Sequence, residues 1–543
     1  MPQNDFHSFS EQQASDLFAQ HYGIIAVASK LPGERDQNFH MQAEDGSQFV
    51  FKIHDTNADA SWLAAQDAVL GHIAKSGDFP VPAMIPAKDG ETTTAMTDPI
   101  GNIRYLRALS WINGTVWAKA REDHDLDFAQ IGTLLGQLDR CLSGFDHPAA
   151  HREFLWDIAQ TPQHREFAAM ITDDTLRAQV ITILDHFETD IAPRLDRTPR
   201  QVIHNDANDY NLLVDENLTI NGLIDFGDFI ATHRICNLAV ALAYVMMDQP
   251  DPVARAIDVI TAYHRANPLQ EDEVAILYDL IRCRLAQSAC MAAQQYAREP
   301  DNDYLLISQK GVTGLLNRME AFNPTIISYR FRDACGMEPC PGSRKLVNWL
   351  TANAHAIGPV LDMPMTAENL HVVDLNGLSL DQDGKLRAAG LVTDAIFSAM
   401  TEAGAEIGVG KYLENRKVYQ GPFFETATKG EWRSLHLGID LFVADQTPIY
   451  APLDGTVVIS NDNARDFDYG PIIILEHATD DGQKFFTKYG HLSRTSLPLS
   501  PVGKAIKKGD LVGYVGPYPE NGNWAPHLHF QIMTDLVGMG ADI

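Results

Sequence analysis

The stretch 202–228, VIHNDANDYNLLVDENLTINGLIDFGD, constrains the fold of this chain more than any other part of it. A polar loop runs from His204 to Asn211, and two short apolar runs follow, separated by a polar turn at 215–217. Short apolar runs on both sides of a turn predict a β-hairpin. Its second strand ends at Asp225-Phe-Gly, so the stretch predicts a loop that feeds a hairpin with an acidic end.

Three polar side chains of this stretch suit phosphoryl transfer. That reaction needs a carboxylate beside the attacking hydroxyl and oxygen ligands that hold Mg²⁺ on the nucleotide phosphates. Asp206 lies in the loop, Asn211 follows five residues later, and Asp225 returns at the end of the hairpin, where it can face the same point. The alternative is an Asn/Asp-rich turn that leads into a hairpin without any chemistry.

His-x-Asp-x-x-x-x-Asn followed by Asp-Phe-Gly resembles the aminoglycoside phosphotransferase and choline kinase family, and HNDANDYN is most similar to the hydroxylysine kinases within it. The resemblance covers roughly residues 20–310. It implies a bilobal, protein-kinase-like fold, with Asp206 as the catalytic base and with Asn211 and Asp225 as Mg²⁺ ligands. An intact Asp206 argues against a site that only senses nucleotide.

The turn 31–39, LPGERDQNF, lies between two predicted strands. In the family that this chain resembles, such a turn is the nucleotide-binding loop, where backbone N–H groups and small or polar side chains approach the phosphates. The resemblance therefore implies that Gly33, Arg35 and Asn38 contact ATP. One glycine is a weak signal, and an exposed hairpin loop is the alternative.

Lys52 stands on an alternating strand, 48–53. A lysine on such a strand usually faces solvent, but in kinase-like folds a lysine here pairs with the α- and β-phosphates. We therefore assign Lys52 to ATP, although the sequence leaves the choice between ATP and GTP open. The following amphipathic helix offers Gln66 and Asp67 where the family has a glutamate that holds the lysine.

The resemblance implies that the acceptor of the phosphoryl group is a small amino alcohol or a hydroxy amino acid. Arg284, on the predicted helix 271–298, suits a substrate carboxylate, because a guanidinium group binds a carboxylate through two hydrogen bonds. Asp209 and Asp228 suit a substrate ammonium group. Structural ion pairs are the alternative for all three side chains.

The charge balance excludes some partners. With 42 Lys and Arg against 72 Asp and Glu, the formal charge of −30 argues against binding to nucleic acid or to an anionic membrane. The N-terminus has no basic region followed by an apolar core, and the longest apolar run, 238–247, is about half the length that crosses a bilayer. We therefore expect a cytoplasmic protein.

A chain of 543 residues is too long for one core and predicts a multidomain α+β protein. We expect a phosphotransferase domain at 1–322, with an N-lobe to about residue 108 and a helical C-lobe from about residue 109. A small α/β connecting module without chemistry is expected at 323–420. The strand-rich segment 421–543 predicts an antiparallel β domain.

Histidines and an aspartate fall at strand ends of this last domain. His436 and Asp440 are four residues apart, and Gly438 between them makes a helix unfavourable and lets the backbone curl, so that both side chains can reach one ion. His527 and His529 are two apart on a predicted strand and so share a face. Three N/O ligands with an open fourth position are typical of catalytic zinc.

These residues resemble the lysostaphin-type (LytM-like) zinc metallopeptidases, whose motifs are H-x-x-x-D and H-x-H with Y-G-H between them. The resemblance covers 421–535 and implies that His436, Asp440 and His529 bind Zn²⁺, while His491 and His527 polarise water or stabilise the oxyanion. Trp524-Ala-Pro, before His527, departs from the small residues that are usual there.

Two hypotheses follow for this domain: an active zinc endopeptidase or amidase, and a zinc-stabilised docking or assembly module without turnover. Proteins with this order of modules often continue into a class III aminotransferase-like domain that binds pyridoxal phosphate, so we expect the chain to be the front part of a longer fusion. The acceptor and the oligomeric state stay open.

Overall fold

The computed structural model describes residues 8–33, 36–76, 79–298, 304–379, 389–419, 424 and 433–542. The chain divides into two units, Met1–Pro339 and Cys340–Ile543. The segment 323–420, predicted as a connecting module, is therefore shared between the two units. In the described ranges no helix is both long enough and apolar enough to cross a bilayer.

The first lobe of the first unit is a six-stranded antiparallel sheet with helix α1 against it. The strand order is β1-β2-β3-β6-β4, and β5 also pairs with β6. The elements are α1 Glu11–Tyr22, β1 Ala26–Leu31, β2 Gln37–Ala43, β3 Gln48–Ile53, α2 Ala60–Ala74, β4 Met84–Ile85, β5 Thr93–Thr97 and β6 Ile103–Ser110. Phe18 of α1 packs edge-on against Phe51 of β3, with ring centroids 5.3 Å apart, and both rings are fully buried.

The second lobe is mostly helical. Its helices are α3 Trp117–Asp123, α4 Ala129–Cys141, α5 Arg165–Ala168, α6 Asp174–His186, α7 Ala192–Leu195, α8 Ile235–Met246, α9 Pro252–Ala266, α10 Glu271–Arg298, α11 Tyr304–Met319 and α12 Pro324–Ala334. Helix α10 has the bounds predicted from its sequence and is buried along most of its length. Helices α4 and α9 lie so close together that a Cβ atom on Gly132 would be 2.0 Å from the Val259 carbonyl oxygen.

Short strands of this lobe set the positions of two loops. They are β7 Thr115–Val116, β8 Arg200–Ile203, β9 Leu212–Val214, β10 Ile220–Leu223 and β11 Ile230–His233. Strands β9 and β10 form the predicted hairpin, and β8 pairs with β11. The loop after β8 leads into the hairpin, and the loop after β10 leads to β11, so the two pairings hold both loops side by side.

The second unit is built on an eight-stranded sheet with the order β12-β13-β14-β21-β18-β17-β16-β19, and β15 pairs with β20. All pairs are antiparallel except β12 with β13. The strands are β12 Leu370–Val372, β13 Ile407–Gly410, β14 Ile439–Phe442, β15 Pro448–Tyr450, β16 Gly455–Asn463, β17 Gly470–Ala478, β18 Lys484–Gly490, β19 Ala505–Ile506, β20 Leu511–Tyr514 and β21 His527–Met533. The helices are α13 Ser343–Ala352, α14 Leu375–Ser379 and α15 Ala389–Ala403. The predicted multidomain α+β class, with a two-lobed first unit and an antiparallel β domain in the second unit, is confirmed.

The segment 323–420 contributes more regular structure than its prolines and glycines indicate. Pro324 is the first residue of α12, and the side chain of Asn323 accepts a hydrogen bond from the N–H of Ile326. Proline suits this position because the first helical N–H has no partner inside the helix. Strand β13 joins the sheet of the second unit by pairing with β14.

Candidate functional site

The loop after β8 holds Asp206 through its own amide side chains. Asn211 Nδ2 donates to the backbone carbonyl oxygen and to Oδ2 of Asp206, both at 2.8 Å, and Asn208 Nδ2 donates to Asp206 Oδ1 at 3.0 Å. The N–H of Ile224 donates to the carbonyl of Asn211 at 2.9 Å. The loop that carries Asp206 is thereby joined to the residue that precedes Asp225.

His204 forms hydrogen bonds with both loops. Its Nδ1 accepts from the N–H of Asp206 at 3.3 Å, and its Nε2 donates to the carbonyl of Ile224 at 3.2 Å. The ring lies edge-on to Phe226, with centroids 4.6 Å apart. Complete burial lowers the pKa of His204 to about 4, so the imidazole is neutral and keeps this pair of hydrogen bonds at neutral pH.

Two residues of these loops have positive φ angles although they are not glycine. They are Asn205, with φ 65°, and Asp225, with φ 62°. The N–H of Asn205 donates to Asn237 Oδ1 at 3.1 Å, and the carboxylate of Asp225 accepts from the N–H of Gly227 at 3.1 Å. Such conformations cost about 1–3 kcal/mol each and persist where the surroundings impose them, which is typical of functional sites.

Arg284 lies against Asp206. Its Nη2 donates to Asp206 Oδ1 at 3.3 Å, its Nη1 donates to the carbonyl of Trp156 at 3.0 Å, and its guanidinium carbon is 4.5 Å from the centre of the Trp156 ring. Only 2% of the Arg284 side chain is exposed. The predicted contact of Arg284 with a substrate carboxylate stays a prediction, because the contacts present are with the protein itself.

The carboxyl group of Asp206 ionises near neutral pH. Burial raises its pKa to about 7, with Arg284 opposing this rise and the carboxylates of Asp228 and Asp225 adding to it. These electrostatic effects require that Asp225 and Asp228 lie near Asp206. A base with a pKa close to neutrality is well suited to accept a proton from a hydroxyl group.

Asp209 is engaged elsewhere. Its carboxylate lies 3.5 Å from Arg121 Nη2, and its carbonyl accepts from the N–H of Ala118 at 2.9 Å. Burial raises the pKa of Asp209, and Arg121 opposes this effect. The predicted substrate role of Asp209 stays a prediction, and the ion pair with Arg121 fits the structural alternative.

Lys52 of β3 lies between Asn38 of β2 and Arg107 of β6, which are its direct partners across the sheet. Directly paired residues project from the same face, so all three side chains share one side of the sheet. Asn38 Nδ2 donates to the carbonyl of Pro32 at 3.1 Å, and a Cβ atom on Gly33 would lie 2.6 Å from that nitrogen. Arg35 lies outside the described residues.

The carboxylate of helix α2 is bound by Arg107 rather than by Lys52. Arg107 forms an ion pair with Asp67 and donates to Gln66 Oε1 at 2.5 Å, while the Thr93 hydroxyl donates to Asp67 at 3.0 Å. Arg107 is 2% exposed. The connection between sheet and helix is therefore made by an arginine directly opposite Lys52.

In the second unit three buried side chains point one ligand atom each at a common place. His436 Nε2 is 3.1 Å from Asp440 Oδ1, His529 Nδ1 is 3.0 Å from the same oxygen, and the two nitrogens are 3.0 Å apart. These three ligand atoms, 3.0–3.1 Å apart, are close enough for one Zn²⁺ ion to bind all of them at its usual distance of about 2.0–2.1 Å. The donor set fits zinc.

The sheet brings these residues together. Asp440 of β14 lies directly opposite His529 of β21. A Cβ atom on Gly438 would lie 2.5 Å from Cε1 of His529, so only glycine lets the imidazole pass this close to the chain. The φ angle of Gly438 is not positive, so the requirement for glycine that the structure shows comes from the space that His529 occupies.

Each imidazole has its ring orientation fixed by a second partner. Three histidines have Nδ1 within hydrogen-bond distance of a backbone carbonyl, and His529 instead places Nε2 3.3 Å from Gln531 Oε1. The three are His436 with Lys411 at 2.9 Å, His491 with Asn521 at 2.8 Å and His527 with Ala525 at 2.6 Å. Such partners hold the proton on one nitrogen and leave the other free to face a metal ion or a substrate.

His491 and His527 lie beside the three ligand residues. Their ring centroids are 4.3 Å apart, and His527 Nε2 is 3.6 Å from Asp440 Oδ1. His491 has a φ angle of 60°. Burial lowers the pKa of His527 to about 4 and that of His491 well below its usual value, so both rings are neutral near pH 7.

Known families match both units. Residues 28–272 match the phosphotransferase enzyme family APH, and residues 434–539 match peptidase family M23. The chain contains an APH phosphotransferase domain and an M23 peptidase domain. Kinases of the first type bind ATP with a divalent metal ion, and M23 peptidases depend on zinc.

The relatives of the phosphotransferase domain include hydroxylysine kinases. That of Danio rerio is 28% identical over 325 residues, covering 57% of this chain and 91% of the relative. That of Xenopus laevis is 28% identical over 337 residues, covering 56% and 88%. The M23 domain is 34% identical over 97 residues to an uncharacterized metalloprotease of Haemophilus influenzae, a match that covers 18% of each chain.

Solved structures are similar to about three fifths of the chain. The amicoumacin kinase hAmiN superposes with a TM-score of 0.45 at 15% identity, covering 62% of this chain and 97% of that one. A microcompartment-associated aminopropanol kinase superposes with a TM-score of 0.45 at 17% identity, covering 59% and 97%.

Several residues at these sites were missed by the sequence analysis. Arg107 was not considered, because its position directly opposite Lys52 follows only from the pairing of β3 with β6. Arg416 was missed because the segment 323–420 contains no metal-ligand motif. It donates to Asp440 Oδ2 at 2.7 Å. Gln531 was also missed, although its spacing of two from His529 on a strand places both on one face.

Proposed function

We propose that the phosphotransferase domain transfers the terminal phosphoryl group of ATP to a hydroxyl group of a small amino alcohol or hydroxy amino acid similar to hydroxylysine. The convergence of Asp206, Asn211 and Asp225 carries this proposal. Asp206 accepts the proton of the attacking hydroxyl group. Because Nδ2 of Asn211 faces Asp206, its amide oxygen is the atom available for Mg²⁺, with the carboxylate of Asp225 as the second protein ligand.

The residues around Asp206 supply orientation and charge. Arg284 and Asn208 hold the Oδ1 atom, and Asn211 holds Oδ2, so the carboxylate has one fixed orientation toward the acceptor. When it is bound, Mg²⁺ offsets the negative charge of the phosphates. A fixed base and a fixed nucleotide lower the barrier mainly by positioning the reacting groups.

The carboxylates near Asp206 support an acceptor that carries an ammonium group. Asp225 and Asp228 raise the pKa of Asp206 and Arg284 opposes this rise, while Arg152 Nη2 donates to the carbonyl of Gly227, beside Asp228, at 3.3 Å. We assign the ammonium contact to Asp228. Asp228, Asp209 and Arg284 all have interactions within the protein, and their substrate roles stay predictions. The relatives named hydroxylysine kinase support an acceptor with both amino and hydroxyl groups.

For the nucleotide, we assign Lys52 to the α- and β-phosphates and Gly33, Arg35 and Asn38 to the loop that covers them. The engagement of Asp67 by Arg107 supports this assignment, because it leaves the lysine ammonium to a different anion. The cytoplasmic location stays a prediction.

For the M23 domain we propose one Zn²⁺ ion held by His436, Asp440 and His529. Zinc would supply Lewis acidity for the hydrolysis of a peptide or amide bond. His491 and His527 are neutral, and each has an Nε2 atom that is available to bind the substrate or to accept a proton, because Nδ1 lies against a carbonyl oxygen. A zinc-stabilised assembly module without turnover is the second candidate, supported by the complete burial of the ligand residues.

The kinase proposal is tested by measuring ADP formation with a panel of amino alcohols and hydroxylated amino acids, with and without Mg²⁺. We expect Mg²⁺-dependent turnover with at least one acceptor and a loss of at least about a hundredfold in Asp206→Asn. Asp185→Asn, an exposed carboxylate of α6, is the matched control. No turnover with any acceptor, or an Asp206→Asn variant as active as the original, would remove the proposal.

The zinc proposal is tested by metal analysis and by incubation with glycine-rich and peptidoglycan-derived peptides. One zinc per chain together with cleavage supports the hydrolase. One zinc per chain, lower thermal stability on chelation and no cleavage support the assembly module. Absence of bound zinc contradicts both candidates.

A further inference from the structure

A short segment ahead of the matched M23 region surrounds the metal-binding residues. The M23 match begins at residue 434, whereas this segment, 411–419, precedes it. The N–H of Leu413 donates to the carbonyl of His436 at 2.8 Å, and the N–H of His436 donates to the carbonyl of Glu414 at 2.9 Å. The segment therefore runs beside His436 and fixes its backbone as well as its ring.

Arg416 of this segment reaches the carboxylate of Asp440. Its Nη1 donates to Asp440 Oδ2 at 2.7 Å and to the Tyr419 hydroxyl at 2.8 Å, and its Nε donates to Glu414 Oε2 at 3.0 Å. Arg416 is 4% exposed and Asp440 is 1% exposed. The two charges are thus paired out of water, where a hydrogen-bonded ion pair has a strongly preferred geometry.

The surroundings leave space for this guanidinium group. A Cβ atom on Gly410 would lie 2.7 Å from Arg416 Nη2 and 3.1 Å from the Cβ atom of Asp440. A side chain at position 410 would therefore require the guanidinium group to shift. Gly410, at the end of β13, therefore leaves the space in which the Arg416 guanidinium group lies beside Asp440.

We propose that Arg416 is a positioning residue for the metal ligand Asp440: it holds Oδ2, so that Oδ1 alone is offered to the ion. Oδ1 is the atom that lies 3.1 Å from His436 Nε2 and 3.0 Å from His529 Nδ1. A carboxylate held by one oxygen binds through the other, which keeps a fourth position on the metal open. This inference rests on the proposed zinc site.

Residues upstream of the matched family region therefore belong to the proposed metal centre. His436 has the Lys411 carbonyl, His529 has Gln531, and Asp440 has Arg416 as the partner that fixes its orientation. Loss of such a partner typically weakens metal binding by about 10–100-fold. A truncated M23 domain that begins at residue 434 would lack two of these three partners.

The test measures zinc affinity of the metal-free full chain by competition with a chelator, and it records the absorption spectrum of the Co²⁺-loaded protein. We expect Arg416→Gln to bind zinc about 10–100-fold more weakly and to alter the Co²⁺ spectrum, because Asp440 is then able to bind through both oxygens. Arg494→Gln is the matched control. Arg494 is an exposed arginine of the same unit and pairs with Asp462.

Arg416→Lys provides a second test, which also covers the case in which Arg416→Gln does not fold. Lysine keeps the positive charge but lacks the planar set of N–H donors with which Arg416 binds Asp440, Glu414 and Tyr419. We therefore expect a loss of at least about tenfold in zinc affinity. A purely structural role of Arg416 would lower the melting temperature of the metal-free protein and leave zinc affinity and the Co²⁺ spectrum unchanged, which would overturn the inference. If the unaltered chain binds no zinc, the proposed metal site itself fails.

Discussion

Replacing Arg284 by methionine should shift the pH dependence of the kinase reaction. The guanidinium nitrogen lies 3.3 Å from Asp206 Oδ1, and 20% of the Asp206 side chain is exposed. Two unit charges at this distance interact by about 1.3 kcal/mol in water and by about 5 kcal/mol at an effective dielectric constant of about 20. The partial exposure of Asp206 favours the lower half of this range, about 1.5–3 kcal/mol, which is about one to two pKa units.

The sign of the shift follows from the role of the base. Asp206 must be ionised to accept a proton, so kcat/KM falls as the pH decreases through its pKa, which is about 7 with Arg284 in place. Without the guanidinium group the carboxylate loses a stabilising charge, and its pKa rises. We expect the acidic limb of the kcat/KM profile in Arg284→Met to move up by about one to two pH units.

The assay is steady-state ADP release with a saturating amount of Mg²⁺-ATP over about pH 5.5 to 9.5. Arg282→Met is the control, since Arg282 lies on the same helix and pairs with Asp279 and Glu320 near the surface. Arg284→Lys should restore most of the original profile. An unchanged acidic limb combined with a raised KM only for acceptors that carry a carboxylate would refute this reasoning and would support the substrate role predicted from the sequence.

Three further outcomes are expected. Arg107→Met should raise the KM for ATP, because Asp67 then has no arginine partner and can form an ion pair with Lys52. The KM is obtained from initial rates at different ATP concentrations. An unchanged KM would show that Arg107 does not keep Asp67 away from Lys52. Gly438→Ala should reduce zinc occupancy, measured by metal analysis, because the added Cβ atom would lie 2.5 Å from the ring of His529. Gly390→Ala is the control and should leave zinc occupancy unchanged, because its Cβ atom would have no other atom within 4 Å. Zinc at a hundred times its dissociation constant should stabilise the M23 domain by about 2.7 kcal/mol, and a calorimetric transition that chelation leaves unchanged would contradict this.

Features that depend on one short stretch of the chain could be predicted from the sequence. The hairpin after the loop of Asp206 follows from two apolar runs around a turn, and its strands lie where the residues predict them. His527 and His529 share a face because strand geometry alternates. In each case a single element fixes the relative positions of the residues.

Contacts between segments that are distant in sequence could not be predicted from the sequence. Arg107 binds Asp67 because β6 lies beside β3, and no pattern within β6 reveals which strand is its neighbour. Arg416 reaches Asp440 because β13 pairs with β14. The helix that begins at Pro324 was not predicted, because proline marks both the breaks and the first positions of helices.

The most direct measurement is mass spectrometry of candidate acceptors after incubation of the chain with Mg²⁺ and ATP. If Asp206, Asn211 and Asp225 act together, a hydroxylated amine gains one phosphoryl group at its hydroxyl oxygen, and the product disappears in Asp206→Asn while Asp185→Asn still forms it. Phosphoryl transfer that persists undiminished in Asp206→Asn, or ATP hydrolysis without any phosphorylated acceptor, would contradict the proposed reaction.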